Sequence, residues 1–347
     1  MPNKPVVTII IPTYNRKDRL NKALDSVLKQ DYENIQLIVS DNASEDGTHI
    51  LMEEYTKKYK NIKYIRREKN IGPVLNFFEP YKIAIGKYFT FLPDDDYFVS
   101  STYIKNAVNA FEENENISVV RGIVKVLYEK DAKFVFPQYA STKITKGIDY
   151  FFNYHRSVEH MHIEGYSGLL RKDIVDEFLK TLNPDTDQIL FDTELYLYSF
   201  LKGDVYFLSD EVAGCFLVHG NQISNQASVL KNFDEMINPY KQILYKAIEL
   251  YPNYKKEKIQ HTVERHIYDQ LIFKLNAVIK EYGKEKAYDI VKESNLVKEF
   301  PNLLIRLKPK RKLDFNLLSI YKDEKYFKFA IFGIQCSFKL RNKFLED

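Results

Sequence analysis

The 347-residue sequence contains no tryptophan and only two cysteines, Cys215 and Cys336. Two thiols are too few for a disulfide framework or a four-cysteine zinc site, and they fit a reducing compartment. No run reaches the roughly 18 apolar residues that a membrane-spanning helix requires. The N-terminal segment lacks an apolar core followed by a small-residue cleavage site, so we expect the chain not to be secreted.

A large excess of one charge is also missing. The 51 Lys and Arg residues nearly balance the 48 Asp and Glu residues, which leaves a net charge of +3. This balance argues against a protein that coats nucleic acid, and no nucleic-acid partner is predicted. A hydrophobic fraction of 45% is enough for a sizeable core and excludes a disordered chain.

Short apolar runs alternate with helix-like patterns over the first 220 residues, which is typical of a mainly parallel α/β sheet. Val6–Ile11 is apolar on both faces, as a buried parallel strand requires. Further strands are predicted at 35–39, 62–65 and 88–92, with helices at 20–28, 48–59 and 73–85. Polar clusters follow three of these strands, and open α/β sheets bind ligands beyond the carboxyl ends of their strands.

The pattern is more mixed from about 116 to 220 and changes again beyond. We predict paired strands at 117–128 and 134–136, further strands at 167–171 and 205–208, and a helix at 193–201. Only two of the twelve glycines lie beyond residue 220, and apolar residues recur every fourth position from Ile259 to Ile279. We therefore predict a first domain over 1–222 and a mostly helical region over 223–347, which ends in a basic, aromatic tail.

Asp94, Asp95 and Asp96 are the most informative residues. Three adjacent carboxylates repel one another, and a fold tolerates them best when a cation neutralises them. Oxygen ligands favour Mg²⁺ or Mn²⁺, which keep open positions for substrate phosphates. The alternative is a solvated turn, but the triplet directly follows a buried-looking strand.

Two other strand ends carry side chains that suit a nucleotide. Asp41 and Asn42 have the hydrogen-bonding groups to read the edge of uracil or cytosine, although an Asx turn or helix cap would use the same groups. Pro12 ends the first strand, Tyr14 offers a ring for stacking, and Arg16 suits a phosphate. The alternative for this segment is a simple helix cap.

Two further segments are candidates for binding anions. In the turn Asn70–Pro73, Gly72 permits close approach of the backbone to a phosphate at the start of the next helix. In the tail, basic residues between Lys308 and Lys312 would add roughly 1 kcal/mol each on an anionic membrane surface. A solvated basic face is the alternative for the tail.

Together these segments resemble the opening of family 2 glycosyltransferases, which have the GT-A fold. The resemblance is carried by Val6–Arg16, Ala23–Gln30, Ile38–Thr48, Asn70–Gly72, Gly86–Phe89 and Asp94–Tyr97. It is dense over residues 5–100, thinner to about 220 and weak beyond. The chain is most similar to the bacterial surface-polysaccharide branch that includes abequosyltransferase-like enzymes. We therefore expect a GT-A domain, Rossmann-like with a mainly parallel mixed sheet and helices on both faces, followed by the helical region.

The resemblance implies a nucleotide-sugar donor and Mn²⁺ or Mg²⁺. The predicted donor-binding residues are Pro12, Thr13, Tyr14, Arg16, Asp41, Asn42, Asn70, Gly72, Asp94 and Asp95. Asp41 would face the base and Asp94 would lie near the ribose. The predicted metal ligands are Asp95, Asp96 and His219, and a structural role is the alternative for His219. Pro93 replaces the first Asp of the family's Asp-x-Asp-Asp pattern, which leaves the roles of the three aspartates open.

The resemblance also implies an inverting displacement, which needs a general base opposite the leaving diphosphate. Asp192 matches the second residue of the family's Glu-Asp pair before a helix, with Phe191 in place of the Glu. Glu194 is the second candidate for the base. Without the resemblance, Asp192 is equally well explained as a helix N-cap.

The resemblance thus implies a metal-dependent inverting enzyme that moves one sugar, preferably from UDP, to a bacterial surface-glycan or lipid-linked acceptor. The processive members of the family usually have membrane helices and a Gln-x-x-Arg-Trp motif, and this chain has no tryptophan. A sugar nucleotidyltransferase is disfavoured because no Gly-rich basic loop follows the first strand. The departures at Pro93 and Phe191 leave a catalytically silent binding module as the alternative. We expect a cytoplasmic protein that contacts the inner membrane face through its tail, and the helical region is a candidate for homo-oligomer contacts.

Overall fold

The computed structural model describes residues 4–130, 132–135, 143–157, 168–183, 192–220, 233–301, 319–322, 326–331 and 334–339. The chain divides into two compact units, Met1–Leu303 and Leu304–Asp347. A ten-stranded mixed sheet forms the centre of the first unit, and a three-stranded sheet lies in the second. The domain boundary after residue 222 stays a prediction, and the helices described between residues 233 and 301 belong to the first unit.

Four parallel strands form one half of the large sheet, in the order β3-β2-β1-β4. They are β1 (Val7–Thr13), β2 (Ile35–Asp41), β3 (Ile62–Arg66) and β4 (Tyr88–Phe91). The connecting helices are α1 (Lys17–Leu28), α2 (Thr48–Lys58) and α3 (Pro73–Tyr81). Ile9, Ile10 and Ile11 are fully buried, which confirms that β1 is covered on both faces.

The other half of the sheet mixes strand directions. It contains β5 (Tyr97–Phe98), β6 (Ile117–Tyr128), β7 (Lys133–Val135), β8 (Ile144–Thr145), β9 (Gly168–Arg171) and β10 (Asp204–Val218). β9 lies between β4 and β6 and is antiparallel to both, while β10 runs parallel to β6. The predicted β6–β7 pairing is confirmed, whereas β10 is much longer than the predicted strand at 205–208.

Helices cover this half of the sheet and continue into the C-terminal part of the first unit. They are α4 (Tyr103–Glu113), α5 (Gly147–Ser157), α6 (Lys172–Leu179), α7 (Asp192–Lys202), α8 (Ile237–Leu250), α9 (Lys256–Tyr282), α10 (Lys284–Glu293) and α11 (Asn295–Glu299). In α9, Ile259, Val263 and Ile267 are fully buried, which confirms the four-residue repeat. Gln270 of α9 donates a hydrogen bond to Thr193 Oγ1 at the start of α7, so the C-terminal helices brace the first turn of α7.

The second unit is a meander of β11 (Ser319–Lys322), β12 (Tyr326–Ile331) and β13 (Ile334–Lys339). The tail that the sequence analysis places in a mostly helical region therefore forms strands where it is described. Aromatic and polar residues alternate along Tyr326–Phe329, and a period of two favours a strand. The basic cluster between Lys308 and Lys312 lies outside the described residues. No helix of the described chain combines the length and apolarity needed to span a membrane.

Candidate active site

The carboxyl ends of β1 and β2 lie side by side, because Thr13 pairs with Asp41 in the parallel ladder. The loops after these strands each contain a residue with a left-handed backbone, Asn15 with φ 52° and Ala43 with φ 66°. The backbone amide of Asn15 donates to Ser44 Oγ at 2.9 Å, and the amide of Glu45 donates to Asn15 Oδ1 at 2.8 Å. Strained backbone held by such cross-links is typical of binding sites.

The acidic triplet follows β4 and faces these two loops. Asp94 Oδ2 accepts a hydrogen bond from Thr13 at 2.7 Å, and Asp94 Oδ1 accepts one from Arg16 Nη1 at 3.0 Å. Arg16 Nη1 also lies 2.8 Å from Asp95 Oδ2. The structure therefore brings together four of the predicted donor-binding residues, Thr13, Arg16, Asp94 and Asp95.

His219 joins the same cluster from the far end of β10. Its Nε2 lies 2.8 Å from Asp95 Oδ2, and its side chain is buried. β10 also supplies the backbone amide of Leu217, which donates to Asp96 Oδ1 at 2.8 Å. Asp96 Oδ2 is buried and has no hydrogen-bond partner among the described residues. Two residues that lie more than 100 positions beyond the triplet in the sequence thus contact its carboxylates.

Burial makes the charge on the triplet costly. Desolvation, together with the negative charge of Asp95, raises the pKa of Asp94 to about 6 despite the opposing effect of Arg16. The same two causes raise the pKa of Asp96 well above its ordinary value, against the hydrogen bond from Leu217. The pKa of a buried carboxyl group rises in this way when the positive charge nearby is too small to offset burial and the negative charge of neighbouring carboxylates. The cluster therefore favours an additional cation.

The donor set at the triplet fits a divalent cation that also binds a phosphate. Asp95 and Asp96 offer carboxylate oxygens, and the part of the chain that the structure describes gives the buried Asp96 Oδ2 no hydrogen-bond partner. Within the described residues, no three His, Cys, Asp or Glu side chains converge as a complete metal site. Mg²⁺ and Mn²⁺ commonly bind through one or two carboxylates and take their other ligands from substrate phosphates and water. The residues present suit that open type of site.

Asp41 is fully buried at the end of β2, and both of its oxygens have partners. Asp41 Oδ1 accepts from the Ser44 amide at 2.8 Å, and Asp41 Oδ2 accepts from the Tyr64 hydroxyl at 2.6 Å. Arg66 Nε lies 3.7 Å from Asp41 Oδ2. Burial, followed by the bond to Asp41, raises the pKa of Tyr64 far above its ordinary value, so this hydroxyl remains a donor. The contact of Asp41 with the base of the nucleotide stays a prediction.

Sequence reasoning missed Tyr64 and Arg66. Both lie at the end of β3, which is the next strand in the sheet after β2. The rule that polar residues gather at carboxyl strand ends applies to β3 as well, and it would have found them.

Asn42 connects the second and third strand ends. Its Nδ2 donates to Asn70 Oδ1 at 2.8 Å and to the Gly72 carbonyl at 3.3 Å. Its Oδ1 accepts from the Ile71 amide at 2.8 Å. Gly72 has φ 86°, a conformation that favours glycine. Asn42, Asn70 and Gly72, all predicted at the donor site, therefore form one hydrogen-bonded unit.

The remaining predicted residues occupy different surroundings. The prediction that Pro12 ends the first strand is wrong, because β1 continues to Thr13 and Pro12 pairs with Ser40 of β2. The ladder with β4 stops at Ile10, so the missing amide of Pro12 is not needed there. Tyr14 is 46% exposed on the loop after β1. Asp192 begins α7, but its side chain lies outside what the structure describes, as does all of Phe191. Glu194 is only 3% exposed, on the buried face of α7. The choice between Asp192 and Glu194 as the base stays a prediction.

These features define a class of protein. A mainly parallel α/β sheet with cross-linked loops and an acidic cluster beyond its carboxyl strand ends is the architecture of GT-A nucleotide-sugar enzymes. Residues 8–179 match the family model described as glycosyl transferase family 2. The chain therefore belongs to glycosyl transferase family 2, as its sequence predicts.

Several relatives are glycosyltransferases by name. An uncharacterized glycosyltransferase of Mycoplasma genitalium is 32% identical over 149 residues, which are 42% of this chain and 49% of the relative. A poly(ribitol-phosphate) beta-glucosyltransferase of Bacillus spizizenii is 30% identical over 38% of this chain and 23% of its own. A GalNAc(5)-diNAcBac-PP-undecaprenol beta-1,3-glucosyltransferase of Campylobacter jejuni is 36% identical over 28% of this chain and 31% of its own. The chain spans about half the length of the Mycoplasma relative and less of the other two.

Solved structures confirm the fold. Residues 1–349 of S. aureus TarS superpose with a TM-score of 0.61 at 17% identity, covering 87% of this chain and 82% of that one. The same protein in complex with UDP gives 0.58 at 14% identity, over 95% and 99% of the two chains. A mannosyltransferase of Pyrobaculum calidifontis in complex with GDP-Man and Mn²⁺ gives 0.52 at 14% identity, over 88% and 85%.

Proposed function

We propose that the chain transfers one sugar, with inversion, from a UDP-sugar to a hydroxyl of a bacterial surface-glycan or lipid-linked acceptor. The observation that carries this proposal is the acidic triplet at the end of β4, with its unpartnered Asp96 oxygen, beside the strand-end loops of β1 and β2. The TarS complex with UDP supports the choice of nucleotide. The names of the Bacillus and Campylobacter relatives support a cell-surface glycan acceptor.

The chain's own residues have distinct roles in this proposal. Tyr14 and Asp41 hold the nucleoside, with Asp41 fixed in place by Ser44 and Tyr64. Asp95 and Asp96 would hold Mn²⁺ or Mg²⁺, with His219 against Asp95. Such an ion supplies positive charge for the diphosphate that leaves. The Pyrobaculum complex with Mn²⁺ supports this choice of ion.

Asp192 is the proposed general base. It accepts the proton of the acceptor hydroxyl while the acceptor oxygen bonds to the anomeric carbon, and the bond from that carbon to the diphosphate oxygen breaks. The hydrogen bond from Gln270 to Thr193 fixes the turn of α7 that carries Asp192. We also propose that the protein acts at the inner face of the cytoplasmic membrane and contacts this membrane through its basic tail.

Two substitutions test this assignment. In a thermal-shift titration with UDP and Mn²⁺, the native protein should gain stability, by about 2.7 kcal/mol when the ligand is at 100 times its Kd. Asp95→Ala should lose the metal-dependent part of this gain and the slow hydrolysis of the donor. Asp192→Asn should keep nucleotide binding and lose sugar transfer, whereas the surface variant Asp31→Asn should behave as the native protein does.

The outcomes separate the enzyme from a catalytically silent module. A silent module would bind the nucleotide and show no transfer in any variant. Nucleotide binding that needs no metal, together with a fully active Asp192→Asn protein, would refute the proposal.

A further inference from the structure

Arg16 lies directly against the acidic triplet. Its Nη1 is 3.0 Å from Asp94 Oδ1 and 2.8 Å from Asp95 Oδ2, so one guanidinium nitrogen bridges two carboxylates. The side chains are 18%, 5% and 9% exposed for Arg16, Asp94 and Asp95, which leaves little water to screen them. Arg16 therefore supplies part of the positive charge that these two carboxylates need.

A divalent cation at Asp95 would compete with Arg16 for the same oxygen. Two positive charges beside the guanidinium repel it strongly at distances of a few ångströms in a poorly hydrated site. A diphosphate offers Arg16 a new partner, because the guanidinium fork matches phosphate oxygens. Metal ion and diphosphate together thus add little net charge, whereas the metal ion alone adds two charges beside Arg16.

The backbone around Arg16 is anchored, so a change of partner involves the side chain alone. Arg16 is the N-cap residue of α1. Its carbonyl accepts hydrogen bonds from the amides of Arg19 at 3.1 Å and Leu20 at 2.9 Å. The preceding residue, Asn15, is held by Ser44 and Glu45.

We propose that Arg16 is a built-in counter-cation of the acidic triplet, which gives up Asp95 to the divalent ion and moves to the donor's diphosphate. This inference rests on the proposed function and adds an order to binding. Arg16 weakens the binding of the divalent ion while the diphosphate is absent. It strengthens the binding of the ion and the diphosphate when the two are present together. Because such coupling is reciprocal, Mn²⁺ strengthens the binding of UDP by the factor by which UDP strengthens the binding of Mn²⁺.

The test measures Mn²⁺ binding by the full chain, from the paramagnetic resonance signal of free Mn²⁺, with and without UDP. In the native protein, UDP should raise the affinity for Mn²⁺ by on the order of tenfold or more. Arg16→Gln removes the competing charge, so it should bind Mn²⁺ alone on the order of tenfold more tightly than the native protein. Its enhancement by UDP should shrink. Arg16→Lys keeps the charge and should restore most of the native coupling.

Arg19→Gln is the matched control, since Arg19 lies on the same helix and pairs with Glu129 at the surface. It should leave Mn²⁺ binding unchanged. Mn²⁺ should also raise the unfolding temperature of Arg16→Gln more than that of the native protein, which shows that the variant is folded and binds the ion.

Two results would overturn the inference, and they are distinguishable. If Arg16→Gln binds Mn²⁺ no more tightly than the native protein and keeps its enhancement by UDP, Arg16 is not a counter-cation, while the proposed function stands. If neither the native protein nor any variant binds Mn²⁺ at any UDP concentration, the proposed metal chemistry fails and this inference fails with it.

Discussion

The side chain of Asn42 gives a sharp test of how the site is assembled. Asn42 is 3% exposed and makes three hydrogen bonds to the loop that contains Asn70, Ile71 and Gly72. Each such bond contributes about 0.5–1.5 kcal/mol to stability, and the bond at 3.3 Å contributes least. The partners lie in a partly exposed loop and regain water when the side chain is removed. We therefore expect Asn42→Ala to lower the free energy of unfolding by about 1–2 kcal/mol.

The same substitution should weaken nucleotide binding, because the loop then has to be ordered when UDP binds. A cost of 1.4 kcal/mol corresponds to about a tenfold rise in Kd. Urea unfolding and calorimetric titration with UDP and Mn²⁺ measure the two effects on the same preparations. Asn34→Ala is the control, since Asn34 is half-buried just before β2, at the opposite end of that strand from Asp41, and its side chain donates to the Lys4 carbonyl. An Asn42→Ala protein with native stability and native affinity for UDP would refute the reasoning.

Two further substitutions test other features of the fold. Gly72→Ala should cost about 1–3 kcal/mol in urea unfolding, because φ is 86° and ψ is 160° there, a region almost confined to glycine. Among the described residues, a Cβ atom at this position would meet no neighbour within 4 Å. Gly220→Ala, equally open but without positive φ, should be nearly neutral. Glu177 is partly desolvated, which raises its pKa, but hydrogen bonds from Lys202, Tyr198 and Lys246 outweigh burial and lower the pKa to about 2. The contribution of the Glu177 carboxylate to the free energy of unfolding should be complete above about pH 4.5 and lost as the pH falls toward 2. Glu177→Gln should therefore remove part of the acid destabilisation between these two pH values. At neutral pH this variant should lose about 1 kcal/mol, a value reduced for the partial exposure of the side chain; an unchanged acid-unfolding curve would contradict the assignment.

The parallel half of the sheet could be predicted because strands buried on both faces are written as continuous apolar runs. β1 illustrates this, since its buried residues coincide with the apolar run in the sequence. The buried face of α9 could be predicted in the same way, from apolar residues at every fourth position. Strand order in the other half could not be predicted. β9 enters between β4 and β6, and no local pattern states which strands will pair across such a distance.

The length of β10 was missed for a different reason. The polar run Ser209–Glu211 predicts that the strand ends after Leu208. The structure absorbs this run with a register shift between Leu208 and Val212. The carboxylate of Glu211 is satisfied by Ser100, Thr102 and Asn106. A long-range interaction therefore overrides a local signal for a turn.

The site was predictable in its residue types and less so in its contacts. Asp94, Asp95 and Asp96 are recognisable because carboxylates at the end of a buried strand need a charge partner. Their partners come from separate elements, since Thr13 and Arg16 follow β1 and His219 follows β10. Sheet order and register decide these contacts, and a single sequence does not contain them.

The part of the chain beyond the family match contributes directly to the candidate site. The match ends at residue 179, yet Leu217 at the end of β10 and His219 directly after this strand both contact the acidic triplet. Asp192, the proposed base, begins α7, which Gln270 of α9 braces. In the proposed function, the half of the site inside the family match would hold the nucleotide, and the half outside it would supply the base and the side of the acidic triplet that faces His219. Acceptor choice should therefore change with substitutions beyond residue 179, and nucleotide choice with substitutions before it.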